Sequence, residues 1–194
     1  MSRQFGALVG LCGDKAIGGR IMVMTGGGPG IMEAVNRGAC DVGAPSIGLN
    51  IDLPHEQYPN PYVTPDLCFS FRYFAMRKLH FLLRARALVA FPGGYGTIDE
   101  VFEVLTLSQT RKLASNPVIL LYGSSYWKEI VNFDALVKYQ VVAPEDLQLF
   151  QFADDPVTAF ELLKTGLLEY AAQSDTPETP AIAKSTNPQK PAGI

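Results

Sequence analysis

Residues 20–51 read RIMVMTGGGPGIMEAVNRGACDVGAPSIGLNI and decide the expected fold. The apolar run from Arg20 to Thr25 predicts a strand, which leads directly into the glycine loop GGGPG of residues 26–30. Apolar residues then recur at helical spacing from Ile31 to Cys40, and Ser46 to Ile51 predicts a second strand. A strand, a helix and a further strand in this order form a βαβ unit, the building block of parallel sheets.

The same order recurs in the second half of the chain. Ala85 to Phe91 predicts a buried strand, followed by the glycine loop PGGYGT of residues 92–97, a helix from Ile98 to Thr110 and a strand from Pro117 to Tyr122. The other expected helices are one that Ser70 caps and that ends near Arg84, one from Tyr126 to Tyr139, and one that starts at Asp155-Pro156 and runs to about Ala172.

These elements predict one three-layer α/β domain over residues 1–172, a Rossmann-like open parallel sheet with helices on both faces. Gln4 to Val9 reads as the end of a helix, so the first strand of such a sheet is missing from this chain. Leu53 to Pro65 is rich in Pro, Asn and Tyr and predicts an irregular excursion. Residues 173–194 lack apolar periodicity and predict a disordered tail.

Composition narrows the function classes. Apolar residues make up 47% and charged residues 18% of the chain, as expected for a soluble globular protein. The net charge of −3 gives no general attraction for nucleic acid or an anionic membrane. Three irregularly spaced cysteines predict reduced thiols in a cytoplasmic protein. Two distant histidines give little support to a zinc site, and we expect no metal or other cofactor.

Each glycine loop leads from a strand into a helix, where free amide groups and the helix dipole favour a phosphate. A steric reading is open as well, because a tight turn between a strand and a helix needs glycine by itself. Thr97 and Glu100 fit a capping box at the start of the second helix, which would give Glu100 a purely structural role. Likewise, Arg77 and Lys78 could be solvated charges on an amphipathic helix.

The nine residues 92–100, PGGYGTIDE, resemble the PGGxGTxxE signature of the Lonely Guy family, the cytokinin riboside 5′-monophosphate phosphoribohydrolases and their bacterial relatives. Arg77-Lys78 matches the family's Arg-Lys pair, and residues 26–34, GGGPGIMEA, resemble its first glycine loop. The strand Val118–Tyr122 also matches. The resemblance covers about Arg20 to Gly166, and residues 58–62, YPNPY, suggest the bacterial branch.

This resemblance implies that the chain hydrolyses the N-glycosidic bond of a purine nucleoside 5′-monophosphate, AMP-like or of cytokinin type, to free base and ribose 5-phosphate. Glu100 and Arg77 would be catalytic. The phosphate would be bound by residues of both loops and by the neighbouring lysine: Gly93, Gly94, Gly96, Thr97, Gly27, Gly28 and Lys78. Members are often labelled lysine decarboxylases, but no residue here is an evident candidate for a Schiff-base lysine. The family tends to form homodimers or larger assemblies, so we expect a homo-oligomer.

The chain departs from the family pattern at two places. The first strand and its Gly-Ser loop are missing, and Phe74-Ala75 stands where the family usually has Met-His before Arg-Lys. Base recognition is therefore expected to differ. A second interpretation is a non-catalytic nucleotide-binding or molybdenum cofactor carrier protein, because such carriers have a similar fold and glycine-rich loops. Retention of both Arg77 and Glu100 favours the enzyme.

Overall fold

The structure, a computed structural model, describes residues 1–12, 19, 21–53, 58–113 and 115–173. In these described ranges six strands form two three-stranded sheets, in the orders β1-β2-β3 and β4-β5-β6, and each of their strand pairs is parallel. The strands are β1 Val23–Thr25, β2 Ser46–Ile51, β3 Cys68–Phe71, β4 Ala87–Ala90, β5 Val118–Tyr122 and β6 Gln151–Ala153.

Seven α-helices surround the strands, and two short 3-10 helices, Pro65–Leu67 and Pro144–Leu149, occur in connections within the described residues. The first described element is a helix, as the sequence predicts. The α-helices are α1 Ser2–Leu11, α2 Ile31–Asp41, α3 Phe74–Arg84, α4 Tyr95–Gln109, α5 Ser124–Ile130, α6 Phe133–Lys138 and α7 Pro156–Gln173.

Strand β5 shows why helices cover both faces. Because side chains alternate along a strand, Leu120 points into a core built with α1, α2 and α7. Its neighbours Ile119 and Leu121 point into a second core with α4, α5 and α6. Leu82 of α3 packs against this second core. The predicted α/β Rossmann-like architecture with helices on both faces is therefore confirmed, but the described strands form two parallel sheets and not the single open sheet that the sequence predicts.

Helices α1 and α2 cross so closely that two positions require glycine. A Cβ on Gly6 would lie 2.1 Å from the carbonyl oxygen of Val35, and one on Gly38 would lie 1.9 Å from that of Arg3. Arg3 also donates from Nε and Nη2 to the Asp41 carboxylate, at 2.5 and 2.9 Å. Backbone contact and a forked ion pair thus hold α1 against α2, the helix that directly follows the first glycine loop.

Several element boundaries differ from the predictions. Ser70 lies in β3 and does not cap a helix, because α3 begins only at Phe74. The single helix predicted from Tyr126 to Tyr139 is two helices, since Val131 is extended and Asn132 caps α6 by accepting a hydrogen bond from the amide of Ala135. Strands β3 and β6 were not predicted. Helix α4 starts at Tyr95 and not at Ile98.

Other predictions fall partly outside the described residues. Arg20, residues 54–57 of the predicted excursion and residues 174–194 of the predicted tail are among the residues that the structure does not describe, whereas α7 extends to Gln173. Cys12, Cys40 and Cys68 are all described and form no disulfide. None of the helices in the described ranges is long and apolar enough to cross a membrane.

Candidate nucleotide site

The first glycine loop joins β1 to α2 and adopts conformations that only glycine tolerates easily. Gly27 has φ +71° and Gly30, the N-cap of α2, has φ +75°. The amide groups of the first turn of α2 have no carbonyl partner within that helix, so this end of the helix favours an anion. Gly27 and Gly28 thus lie between the end of β1 and the N-terminus of α2, and their contact with a phosphate remains a prediction.

The second glycine loop joins β4 to α4 and shows that the predicted capping box is wrong. Gly94 is the N-cap of α4, so Thr97 is the third helical residue and Glu100 the sixth, and no side chain caps this helix. The side chain of Thr97 lies directly against Gly93. A Cβ on Gly93 would be only 2.2 Å from Thr97 Oγ1, so this position has no room for a side chain. Glu100 is thus not needed to start the helix.

Arg77 joins the two halves of the site. Its Nη2 donates to Oε1 of Glu100 at 3.2 Å, and its Nη1 lies 3.5 Å from the position that a Cβ on Gly26 would occupy. The guanidinium also lies 5.4 Å from the ring centre of Phe74 and 5.7 Å from that of Phe81. These contacts hold the cation between the first glycine loop and α4, within cation–π distance of two aromatic rings.

Both members of this pair are largely withdrawn from water. The side chain of Arg77 is 13% exposed and that of Glu100 is 29% exposed. Burial raises the pKa of the Glu100 carboxyl above its ordinary value, Arg77 opposes that rise, and the nearby Asp99 adds to it. Nε of Arg77 is buried and has no hydrogen-bond partner within the described residues.

Lys78 turns toward acidic residues of α4. Its ammonium pairs with Asp99 and lies 3.6 Å from Oε2 of Glu103. The hydrogen bond to Asp99 raises the pKa of Lys78. Any contact of Lys78 with a phosphate would have to compete with these two carboxylates, so its predicted role in phosphate binding remains a prediction.

Three polar side chains beside the loops were not identified from the sequence. Asn36 and Asn60 form a buried amide network under the first glycine loop, and Tyr126 donates from its hydroxyl to the carbonyl of Gly93. The only feature of the sequence that draws attention to one of them is the YPNPY stretch of residues 58–62, which contains Asn60. No spacing rule connects that stretch to a loop more than thirty residues earlier.

Parallel strands that lead through two glycine loops into helices, with an Arg–Glu pair between the loops, are typical of the nucleotide-binding class of α/β proteins. The family model described as "Possible lysine decarboxylase" matches residues 32–163. The cytokinin riboside 5′-monophosphate phosphoribohydrolase LOG3 of Arabidopsis thaliana is 31% identical over 164 residues, which cover 82% of this chain and 72% of that protein. LOG4 of the same plant is also 31% identical, over 154 residues that cover 77% of this chain and 67% of that protein.

The chain therefore belongs to the Lonely Guy family. The relatives are named as cytokinin riboside 5′-monophosphate phosphoribohydrolases. The family that the sequence motifs suggested is therefore confirmed.

Solved structures agree on the fold alone. The molybdenum cofactor carrier protein of Chlamydomonas reinhardtii superposes with a TM-score of 0.58 at 23% identity and covers 86% of each chain. The molybdenum cofactor binding protein of Rippkaea orientalis gives 0.58 at 21% identity, covering 84% of each chain. At these identities the likeness establishes a common architecture and leaves the ligand of this chain open.

Proposed function

We propose that this chain hydrolyses the N-glycosidic bond of purine nucleoside 5′-monophosphates, AMP-like or of cytokinin type, to give free base and ribose 5-phosphate. The observation that carries the proposal is the Arg77–Glu100 contact at 3.2 Å, formed beside the first glycine loop and at the start of α4. Glu100 has no capping role, so its burial against Arg77 supports a chemical one.

Cleavage of a ribose–base bond builds positive, oxocarbenium-like charge on the sugar, as in glycoside hydrolysis. A carboxylate at Glu100 would stabilise that charge and orient a water molecule. The water oxygen bonds to C1′, and the electron pair of the broken C1′–N bond leaves with the base. The proton that Glu100 takes from water then passes to the departing base, so the reaction needs no further reactant.

Arg77 would hold the substrate in place. Its Nη2 is engaged by Glu100, while Nη1 faces the Gly26 position and Nε is buried without a described partner. A phosphate or sugar oxygen that meets Nη1 would accept a charge-assisted hydrogen bond. The glycine loops would add backbone amides from the first turns of α2 and α4, including that of Gly96.

Release of adenine from AMP tests the proposal, with Glu100→Gln measured alongside the parent. The variant should bind AMP yet lose about 10²–10⁴ in rate, the usual effect of removing an acid–base group. Glu103→Gln is the matched control, because Glu103 lies on the same helix and contacts Lys78 and not Arg77. Equal turnover by the parent and Glu100→Gln would refute the catalytic role.

The carrier alternative makes the opposite prediction in the same assay. A carrier would bind a pterin phosphate tightly and release no base from any nucleotide. The structural likeness to such carriers lies below 25% identity and supports no ligand assignment, whereas the Arg77–Glu100 pair supports hydrolysis. Competition between AMP and a pterin phosphate, measured together with adenine release, separates the two functions.

We further propose that the chain is a cytoplasmic homodimer or larger homo-oligomer. Helix α3 and the neighbouring strand β3 expose a row of large apolar side chains, which we call the α3 patch: Phe69, Tyr73, Met76, Leu79 and Leu83. Leu83 alone is 67% exposed, and Met76, Leu79 and Leu83 share one helical face. A continuous apolar surface of this kind is typical of an interface, and a second copy would lie next to Arg77 on the same helix.

Light scattering after gel filtration tests the interface. Leu83→Glu should convert the oligomer into monomers, since it places a charge in the patch. Val157→Glu is the control, because Val157 is an exposed apolar residue on α7, which packs against the other core. A monomeric parent protein would contradict the proposal.

A further inference from the structure

The carbonyl groups of both glycine loops are held by side chains from distant parts of the chain. Nδ2 of Asn60 donates to the carbonyl oxygens of Gly27 and Gly28, at 3.1 and 3.0 Å. The Asn60 amide nitrogen donates to the same Gly27 oxygen at 2.7 Å. In the second loop, the hydroxyl of Tyr126 donates to the carbonyl of Gly93. Two carbonyls of the first loop and one of the second are therefore bonded to a donor outside the loop.

Asn60 belongs to a buried polar network, which extends beneath the first loop. Asn60 is 6% exposed and Asn36 is fully buried, and Oδ1 of Asn36 lies 3.0 Å from Nδ2 of Asn60, whose two hydrogens are shared among this oxygen and the two glycine carbonyls. Thr25 donates to the same Oδ1 at 2.7 Å and accepts from the amide of Gly27 at 3.0 Å. The loop is thus connected to β1, α2 and the YPNPY stretch at once.

This network includes a polar group that costs stability. Nδ2 of Asn36 is buried and has no hydrogen-bond partner within the described residues. A buried donor without a partner is unfavourable, and apolar side chains could fill such a space at lower cost. A network with this defect is better explained by the loop shape that it holds than by the stability that it supplies.

Electrostatics explains why that shape matters for an anion. A backbone phosphate site needs amide groups directed at the ligand and carbonyl oxygens directed away, because a carbonyl dipole repels a negative charge. Gly27 and Gly30 have positive φ values and wide conformational freedom, so the loop sequence alone does not select one orientation. A donor that binds the carbonyls of Gly27 and Gly28 fixes the orientation in advance.

We propose that Asn60 and Tyr126 are positioning residues of the phosphate site, which hold the carbonyls of the two glycine loops away from a bound anion. The proposal rests on the proposed function only in that the ligand carries a phosphate. Neither side chain needs to touch the ligand. Their removal should therefore weaken ligands that carry the phosphate and spare ligands that lack it.

The test uses calorimetry to measure the binding of AMP, ribose 5-phosphate and adenosine. The proteins compared are Tyr126→Phe and Asn60→Ala, and each also carries Glu100→Gln so that no substrate is consumed. We expect the Kd for both phosphorylated ligands to rise about tenfold, which corresponds to about 1.4 kcal/mol, and the Kd for adenosine to stay unchanged. Tyr139→Phe, which removes the hydroxyl of an exposed tyrosine, is the control and should change none of the three.

Asn60→Ala removes a buried group and could unfold the chain, so Tyr126→Phe and a local measurement keep the test decisive. Hydrogen exchange of peptides that span each loop should be faster in loop residues 26–30 for Asn60→Ala and in residues 92–97 for Tyr126→Phe. Equal loss of AMP and adenosine binding, or unchanged AMP binding, would overturn the proposal, as would a parent protein that gains nothing from the phosphate. Phosphate-dependent binding without adenine release would refute the hydrolysis and leave this inference standing.

Discussion

Arg77 on α3 and Glu100 on α4 meet at 3.2 Å although 23 residues separate them in the sequence. From the sequence alone each residue has an ordinary structural explanation, Arg77 as a helix charge and Glu100 as part of a cap, but the structure excludes the cap. Together they form a part-buried ion pair next to the first glycine loop, and such pairs give little net stability because desolvation offsets the attraction. Arg77 lies beside the first glycine loop, and Glu100 lies on the helix that follows the second loop. This arrangement favours a role of the pair in ligand chemistry.

Arg77→Ala should weaken binding of AMP by roughly 1.5–3 kcal/mol, the effect of losing a hydrogen bond from a charged group. Arg77→Lys should recover only part of that loss, because lysine keeps the charge but not the fork that reaches Glu100 and a ligand together. Calorimetry with AMP and adenosine measures both. The adenosine affinity should change less than the AMP affinity if the guanidinium contacts phosphate.

Arg84→Ala is the matched control for this series, since Arg84 lies in the last turn of the same helix and is exposed. Its AMP affinity should equal that of the parent. Equal affinity of the parent for nucleoside and nucleotide would argue against a phosphate contact at Arg77.

The pH dependence of kcat/KM should show that Glu100 acts as a carboxylate with a displaced pKa. Burial raises the pKa of Glu100 above the ordinary glutamate value of 4.5, so the acid limb should have its midpoint above that value. Asp99 raises this pKa and Lys78 lowers it. Asp99→Asn should therefore move the acid limb to lower pH, and Lys78→Met should move it to higher pH.

Displacement of the limb in opposite directions is the informative result, because general damage to the site would lower the rate without moving the limb in a charge-dependent way. A midpoint at or below 4.5 in the parent, or displacement in the same direction by both variants, would show that Glu100 is not the titrating group.

The sequence was sufficient for the central part of the fold. Strand β2 was predicted at Ser46–Ile51 with the bounds that the structure has, because apolar residues recur there at every second position, at Ile47, Leu49 and Ile51. Strands β3 and β6 were missed because they have only four and three residues and lie at the outer edges of the two sheets. Such short edge strands have no clear alternation, and tertiary pairing alone defines them.

The candidate site was predicted unevenly for a physical reason. The PGGYGTIDE motif identified Glu100 because its residues are contiguous, but the same stretch also predicted a false capping box. The glycines continue into the helix, so α4 begins at Tyr95 and Thr97 is too far inside it to cap. Asn60 was not identified, since its contact with Gly27 spans 33 residues and passes through a stretch without periodicity.

Gly96→Ala should separate binding from folding. Among the described residues, no heavy atom lies within 4 Å of a Cβ built on Gly94 or Gly96, and neither residue has a positive φ. Gly96→Ala should therefore leave the fold intact and raise stability by about 0.5–1 kcal/mol, as alanine does within a helix. AMP affinity should fall by about tenfold or more, since a methyl group obstructs a phosphate that approaches the backbone closely.

Gly93→Ala supplies the contrast, because its Cβ would lie 2.2 Å from Thr97 Oγ1 and the loop must move. That variant should lose both thermal stability and AMP binding. If Gly96→Ala binds AMP as the parent does, the phosphate does not approach the first turn of α4, and the loop glycines serve only the turn.

Glu100→Gln should make the protein more stable at neutral pH while it abolishes turnover. A carboxyl whose pKa is higher in the folded state than in the unfolded chain stabilises the fold fully only below the unfolded value, and this contribution disappears as the pH rises through the folded value. Glutamine resembles the protonated form and still offers an oxygen to Arg77, so it escapes the cost of a buried charge. The Tm of Glu100→Gln should therefore exceed that of the parent at pH 7 to 8, and the difference should shrink toward pH 4.5. A variant that is less stable than the parent at neutral pH would mean that the Arg77–Glu100 pair is a structural contact and that the carboxylate is not held at a cost for catalysis.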